Sequence, residues 1–138
     1  RCEIKLENYS KIIRIEALTM IDMVKRGVIP AAIRYQNQIA SAAVSKKSAF
    51  AGCDISTEEA IVKKCSDITA SVLKKLADLE SAVEKTTFEN SIASARYYRD
   101  EVFEGMMALR SDVDLLETMI DKDLWPYPTY AEMLYSVN

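Results

Sequence analysis

The sequence predicts an all-α protein, an antiparallel bundle of three to four long helices, and three observations carry that expectation. Apolar residues recur at spacings of three and four through most of the 138 residues, the period of a helix face. Gly and Pro number only three each, too few for the many turns of a β fold. The few turn signals present fall between long periodic runs. The length suits one helical domain, residues 1–138, able to bury about 65–70% of the surface its unfolded chain exposes.

The first helix is expected from about Glu3 to Ile29. Ile4, Tyr9, Ile12, Ile13, Ile15, Leu18, Met20, Ile21, Met23 and Val24 cover more than one of its sides, which predicts a central helix packed on several neighbours. Gly27 and Pro30 predict an interruption: the proline lacks an amide donor and restricts Ile29. Ala32, Ile33, Tyr35, Ile39, Ala43 and Val44 then resume the pattern. Ala51-Gly52-Cys53-Asp54 is the clearest loop, and Ser56-Thr57-Glu58-Glu59 has the form of a capping box, with Glu59 and Lys63 one turn apart.

The helix opened there carries Ile61, Cys65, Ile68, Val72, Leu76, Leu79 and Val83. After a turn at Thr86-Thr87, Phe88, Ile92, Ala95, Val102, Met106, Leu109, Val113, Leu116 and Ile120 form a near-heptad stripe, with Arg99 at the missing seam position. Two long helices with a short link predict an antiparallel hairpin. Gly105 inside the second costs about 1 kcal/mol against Ala and suggests close approach of another helix. Beyond it, Trp125-Pro126-Tyr127-Pro128 cannot continue a helix, and Thr129-Tyr130-Ala131-Glu132 is a second capping box, opening a short C-terminal helix. Trp125, Tyr127, Tyr130 and Leu134 are the candidate packing or docking residues of this tail, since such aromatics pin a terminus when they find pockets.

Composition excludes several functions. A net charge of −3 gives no electrostatic reason to expect nucleic acid or an anionic membrane as partner. Arg96-Tyr97-Tyr98-Arg99 mixes bases and aromatics, but acids surround it, and Arg99 is expected to reach an acid across the hairpin. With no histidine, Ser–His and Cys–His pairs are impossible, and neither a GxSxG elbow nor a phosphate-binding glycine loop occurs. Cys2, Cys53 and Cys65 have no zinc-site spacing and fit a reduced setting, Cys65 as a small core residue. Glu16 and Asp22 stand in apolar surroundings, as buried acid–base groups or Mg²⁺ ligands would. Six residues apart, they lie on opposite sides of one helix, so ion pairs with Lys11, Arg14, Lys25 or Arg26 are the simpler reading. The methionines are expected to fill the core.

Two stretches carry a family resemblance. Glu3-Ile4-Lys5-Leu6-Glu7-Asn8-Tyr9, with Ile15 to Met23 and Ile29-Pro30-Ala31, resembles the start of the C-terminal region of type III glutamine synthetases. Arg99-Asp100-Glu101-Val102, the Leu109 to Asp121 run and Trp125-Pro126-Tyr127-Pro128-Thr129-Tyr130 to Leu134 resemble its end, while the middle, Gln36 to Ala95, matches only as charged helix. The resemblance implies a cytoplasmic parent of stacked hexameric rings that joins ammonia to glutamate with ATP and Mg²⁺ or Mn²⁺, its ligands lying upstream. No catalytic, cofactor or metal residue of that family falls on a position here. This chain, which opens on Arg1 without a capping lead-in, is then expected to be an inactive, structural C-terminal fragment, its partners the upstream catalytic domain and neighbouring subunits of a homo-oligomer. The alternative is a stand-alone helical module that binds a partner helix in a groove.

Overall fold

A computed structural model of the chain describes residues 2–128. The Tyr130 and Leu134 expectations, the capping box at Thr129 and the short C-terminal helix lie outside them. All regular structure among the described residues is helical, in three rods. The first joins α1 (Cys2–Met23), a π-helical segment (Val24–Val28) and α2 (Ile29–Ala49) without a break, a contour of about 70 Å. The second is α3 (Ser56–Val83). The third joins α4 (Ser91–Tyr97), a second π segment (Tyr98–Phe103) and α5 (Glu104–Met119).

The expected interruption near Gly27–Pro30 is therefore replaced by a π turn. Met23, Val28 and Ile29 all keep right-handed helical dihedrals, so the chain never leaves the helix. Pro30 would collide with the carbonyl one turn back and leave it without a donor. The wider π loop just before it makes room for the ring, a recognised way for a helix to carry a local defect.

Cross-rod bonds give the topology. Lys46 meets Glu58, Gln36 meets Thr69, Lys25 meets Glu80 and Arg14 reaches the Val83 carbonyl, so α3 runs back along the first rod. Ser71 meets Asp112 and Tyr97 meets Ala82, so the third rod runs back along α3; Ser91 and Ser94 reach Glu7 and Ser10, beside α1. The core threads all three, with Ala17, Val24 and Val28 from the first rod, Val72, Leu76 and Leu79 from α3, and Val102, Leu109 and Leu116 from the third.

The first helix packs on both other rods, as a central helix should, but only one of its faces takes part. At about 100° per residue, Ser10, Ile13, Ala17 and Ile21 share one narrow arc of α1, and these are buried. Ile4, Ile12 and Ile15 fall roughly opposite and Leu18 on the flank, all 43–64% exposed.

Several local expectations change. Ser56 is the first helical residue of α3 and forms no capping box; the Asp54 carboxylate takes its amide at 2.9 Å, which holds Asp54 below the usual carboxylate range. Glu58 pairs across to α2, with Lys46 at 2.9 Å. Asn90 caps α4 through the Ala93 amide at 2.8 Å. Arg99 is not on the seam: it is exposed and pairs with adjacent Asp100 at 2.7 Å, while Tyr98 is buried. The π segment supplies the reason, because fewer degrees of rotation per residue turn the downstream stripe toward Tyr98 and away from Arg99.

Candidate functional site

A small set of polar side chains bridges the rods where they meet. At the end of α3, where helix carbonyls lose their intrahelical donors, Arg14 donates to the Val83 carbonyl and the Tyr97 hydroxyl to the Ala82 carbonyl at 2.6 Å. A guanidinium at a helix C-terminus also complements the helix dipole. Phe88, in the loop between α3 and α4, packs on the Tyr97 and Tyr98 rings at 5.3 and 5.8 Å, with the Lys85 ammonium 5.2 Å above it. The tyrosines of the Arg96–Arg99 cluster therefore work inside the fold, one capping α3 and the other in the core.

A second clasp lies halfway along α3. Asp112 on α5 is almost fully buried, yet it accepts from the Ser71 hydroxyl at 2.5 Å and from Lys75 at 2.9 Å. Burial alone would push its carboxyl up; the hydroxyl and the ammonium outweigh that and hold it below the usual carboxylate range. Sequence reasoning missed this residue. The available signal was an acid next to the apolar Leu109–Val113 stripe, in a helix whose hairpin partner presents Ser71 and Lys75.

Glu16 and Asp22 are both exposed, and Asp22 pairs one turn on with Arg26 at 3.6 Å. They build no joint site. Cys65 is fully buried, which pushes its thiol up and keeps it protonated; Cys53 is half-buried in the first loop. Among the described residues no three Cys, Asp or Glu side chains converge on a point where a metal ion would sit. No helix among those residues is long and apolar enough to cross a membrane.

Of the tail candidates, Trp125 and Tyr127 lie among the described residues. Asp121 turns the chain after α5, its carbonyl accepting from Leu124 and Trp125 and its carboxylate from Asp123. Leu124, Trp125 and Tyr127 then pack on the core. The Tyr127 hydroxyl donates to the Met23 carbonyl at 3.0 Å, at the edge of the π turn, and burial pushes the phenol's pKa up. Gly27 makes that approach possible: a Cβ there would lie 2.9 Å from the Tyr127 ring carbon Cζ.

Fold and surfaces together define a three-rod helical domain whose distinctive features are apolar faces and cross-helix clasps. Residues 1–47 match the family model described as the glutamine synthetase C-terminal domain. The chain is also similar to a glutamine synthetase of Butyrivibrio fibrisolvens, 34% identical over 100% of this chain and 20% of that protein. A type-3 glutamine synthetase of Dictyostelium discoideum is 28% identical over 98% of this chain and 19% of its own length, and a glutamine synthetase of Bacteroides fragilis 26% over 99% and 19%. The chain spans about a fifth of the length of the curated relatives it matches. Its resemblance to the C-terminal region of type III glutamine synthetases is thus shown, and the alignments also run through the middle, where the end motifs were silent.

Proposed function

We propose that this chain is the helical C-terminal domain of a type III glutamine synthetase and that it acts there as a packing element, without catalytic groups of its own. The parent would be a cytoplasmic homo-oligomer joining ammonia to glutamate with ATP and Mg²⁺ or Mn²⁺. The observation that carries the structural role is the outer face of α1. Ile4, Ile12 and Ile15 are mostly exposed and lie opposite the face that enters the core, with Leu18 on its flank. An apolar strip of this kind marks an interaction surface rather than a water-facing one. The four-fifths of the relatives' length outside this chain supplies a partner always present at one copy per domain. We take the catalytic part of the same polypeptide to be the occupant.

The test is the pair Ile12→Asp and Ile15→Asp, placed in the full-length parent and in the 138-residue chain. In the short chain both side chains already meet water, so stability should move by less than about 0.5 kcal/mol. In the parent, glutamine formation should fall at least tenfold, with a loosened domain visible as new protease cutting around α1. Should the oligomer dissociate while each subunit stays protease-resistant, the face belongs to a neighbouring subunit instead. Unchanged activity and assembly would reject the packing role. Equilibrium dialysis of the short chain against ATP and Mg²⁺ is expected to show no binding.

A further inference from the structure

The far end of the hairpin formed by α2 and α3 is an arm without a core. From Ile33 to Lys64 no side chain is buried, although both helices run through this stretch. Short helices are marginal in water on their own and owe their stability to a packed face. The two helices of the arm meet along one line, marked by the Lys46–Glu58 and Gln36–Thr69 bonds. The third rod lies elsewhere. It holds α3 through Ser71 and Lys75, and at about 100° per residue Val62 and Ser66 stand on the opposite flank.

That flank and the neighbouring face of α2 form one open surface. On α2, Ile33, Asn37, Ala40 and Val44 stand at i, i+4, i+7 and i+11, with Ile33 56% and Val44 67% exposed. Ala40 and Ala43 continue into a cleft of about 570 Å³, bounded on α3 by Val62, Lys63, Ser66 and Asp67. Lys63 and Asp67 make no ion pair among the described residues. The bonds between the two helices also set their stagger, which puts Ala40 level with Cys65. A two-fold axis across the arm near that level lays α2 antiparallel on the α2 of a second copy. Ile33 then comes beside Val44 of the other copy, and Lys63 beside Asp67, each within about 1.5 Å, one residue of helix rise. A single axis makes both matches, so the face complements itself in apolar pattern and in charge. It is about 25 Å long and about 20 Å broad, so two copies would cover on the order of 1,000 Å² in total, the lower end for a specific interface.

We propose that this face of the arm is a self-association site, where a second copy of the chain docks about a two-fold axis to make an antiparallel four-helix bundle. An interface of that area gives a dimer that dissociates in the micromolar range rather than a permanent one. The inference stands on the arm alone and is independent of the parent enzyme's activity and of the outer face of α1.

Sedimentation velocity of the 138-residue chain, run from micromolar to submillimolar concentration, tests it. The wild type should pass from monomer to dimer across that range. Val44→Asp should weaken the dimer by about tenfold or more while circular dichroism shows the helices kept, since this side chain meets water in the monomer. Lys63→Asp and Asp67→Lys should each weaken it by setting like charges together, and the double variant K63D/D67K, which restores an opposite pair, should recover it. That recovery separates docking from a loss of folding. Ile12→Asp, on the outer face of α1, should leave the dimer as it is. A wild type that stays monomeric throughout overturns the proposal, and so does a dimer that V44D leaves intact or that the charge swap fails to rescue.

Discussion

Replacing Asp112 with alanine should destabilise the 138-residue chain more than any other single loss of a polar side chain described above. Its carboxylate takes a 2.5 Å bond from Ser71 and a 2.9 Å bond from Lys75, and its own side chain is only 11% exposed. A net bond to a charged group in such a place contributes about 1.5–3 kcal/mol. The Lys75 arm is 36% exposed and solvates readily when released, so it counts nearer a surface pair, about 0.2–1 kcal/mol. The expected loss is about 2–3 kcal/mol for Asp112→Ala and about 1 for Asp112→Asn, which keeps an acceptor for Ser71. Urea unfolding followed by circular dichroism reads these values, and a double-mutant cycle with Ser71→Ala isolates the buried arm. The pH dependence fixes the sign. Folding lowers the Asp112 pKa, so its stabilisation is present above the unfolded value near ~3.9 and disappears as pH falls through the folded one. The variant should thus approach the wild type in stability below about pH 4. A loss under about 0.5 kcal/mol at pH 7, or no coupling to Ser71, would refute the clasp.

Gly27→Ala should release Tyr127, because the new Cβ meets the ring; in a Tyr127→Ala background the same change should become stabilising by up to about 1 kcal/mol, the helix preference of Ala over Gly. Equal destabilisation in both backgrounds, measured by urea unfolding, counts against that contact. Gly105→Ala should stabilise by about 0.5–1 kcal/mol, since its Cβ would stand an ordinary 3.4 Å from Leu79, and a fall in Tm would show the helices packed more tightly than that. Asn90→Ala should cost about 1 kcal/mol through the lost cap of α4. At the start of α3, Asp54→Ala should lower Tm more than Ser56→Ala, because it is the aspartate that holds the free amide.

The sequence made the helices legible but not their register. Threes and fours locate α3, since Cys65, Ile68, Val72, Leu76, Leu79 and Val83 repeat without interruption and all but half-buried Ile68 are buried. The same logic fails twice where a π segment intervenes. Between Ala95 and Val102 the spacing admits either Tyr98 or Arg99 on the seam, and only the local unwinding of the helix decides for the tyrosine. At Pro30 a local rule predicted a break, but packing of Val24, Val28, Ala31 and Ala32 into one core holds the rod together through the defect. Capping shows the same competition at smaller scale. Ser56 and Asp54 could each serve the start of α3, and the loop that brings the aspartate to the Ser56 amide settles it.

Faces are harder still, because a sequence records which side chains are apolar and not which of them find cover. Ile12 and Ile13 are neighbours of one residue type; Ile13 is 7% exposed and Ile12 is 54%. Periodicity alone made both look like core, and the inference of a central helix followed. That helix touches two partners yet leaves its outer arc bare, so its excess apolarity exceeds what this chain alone can bury. Burying four such side chains would contribute about 1.5–3 kcal/mol each, more than a surface contact offers and enough to matter to a domain of marginal stability. That face does not enter the core of this domain, and this is the physical reason for proposing that the rest of the parent covers it.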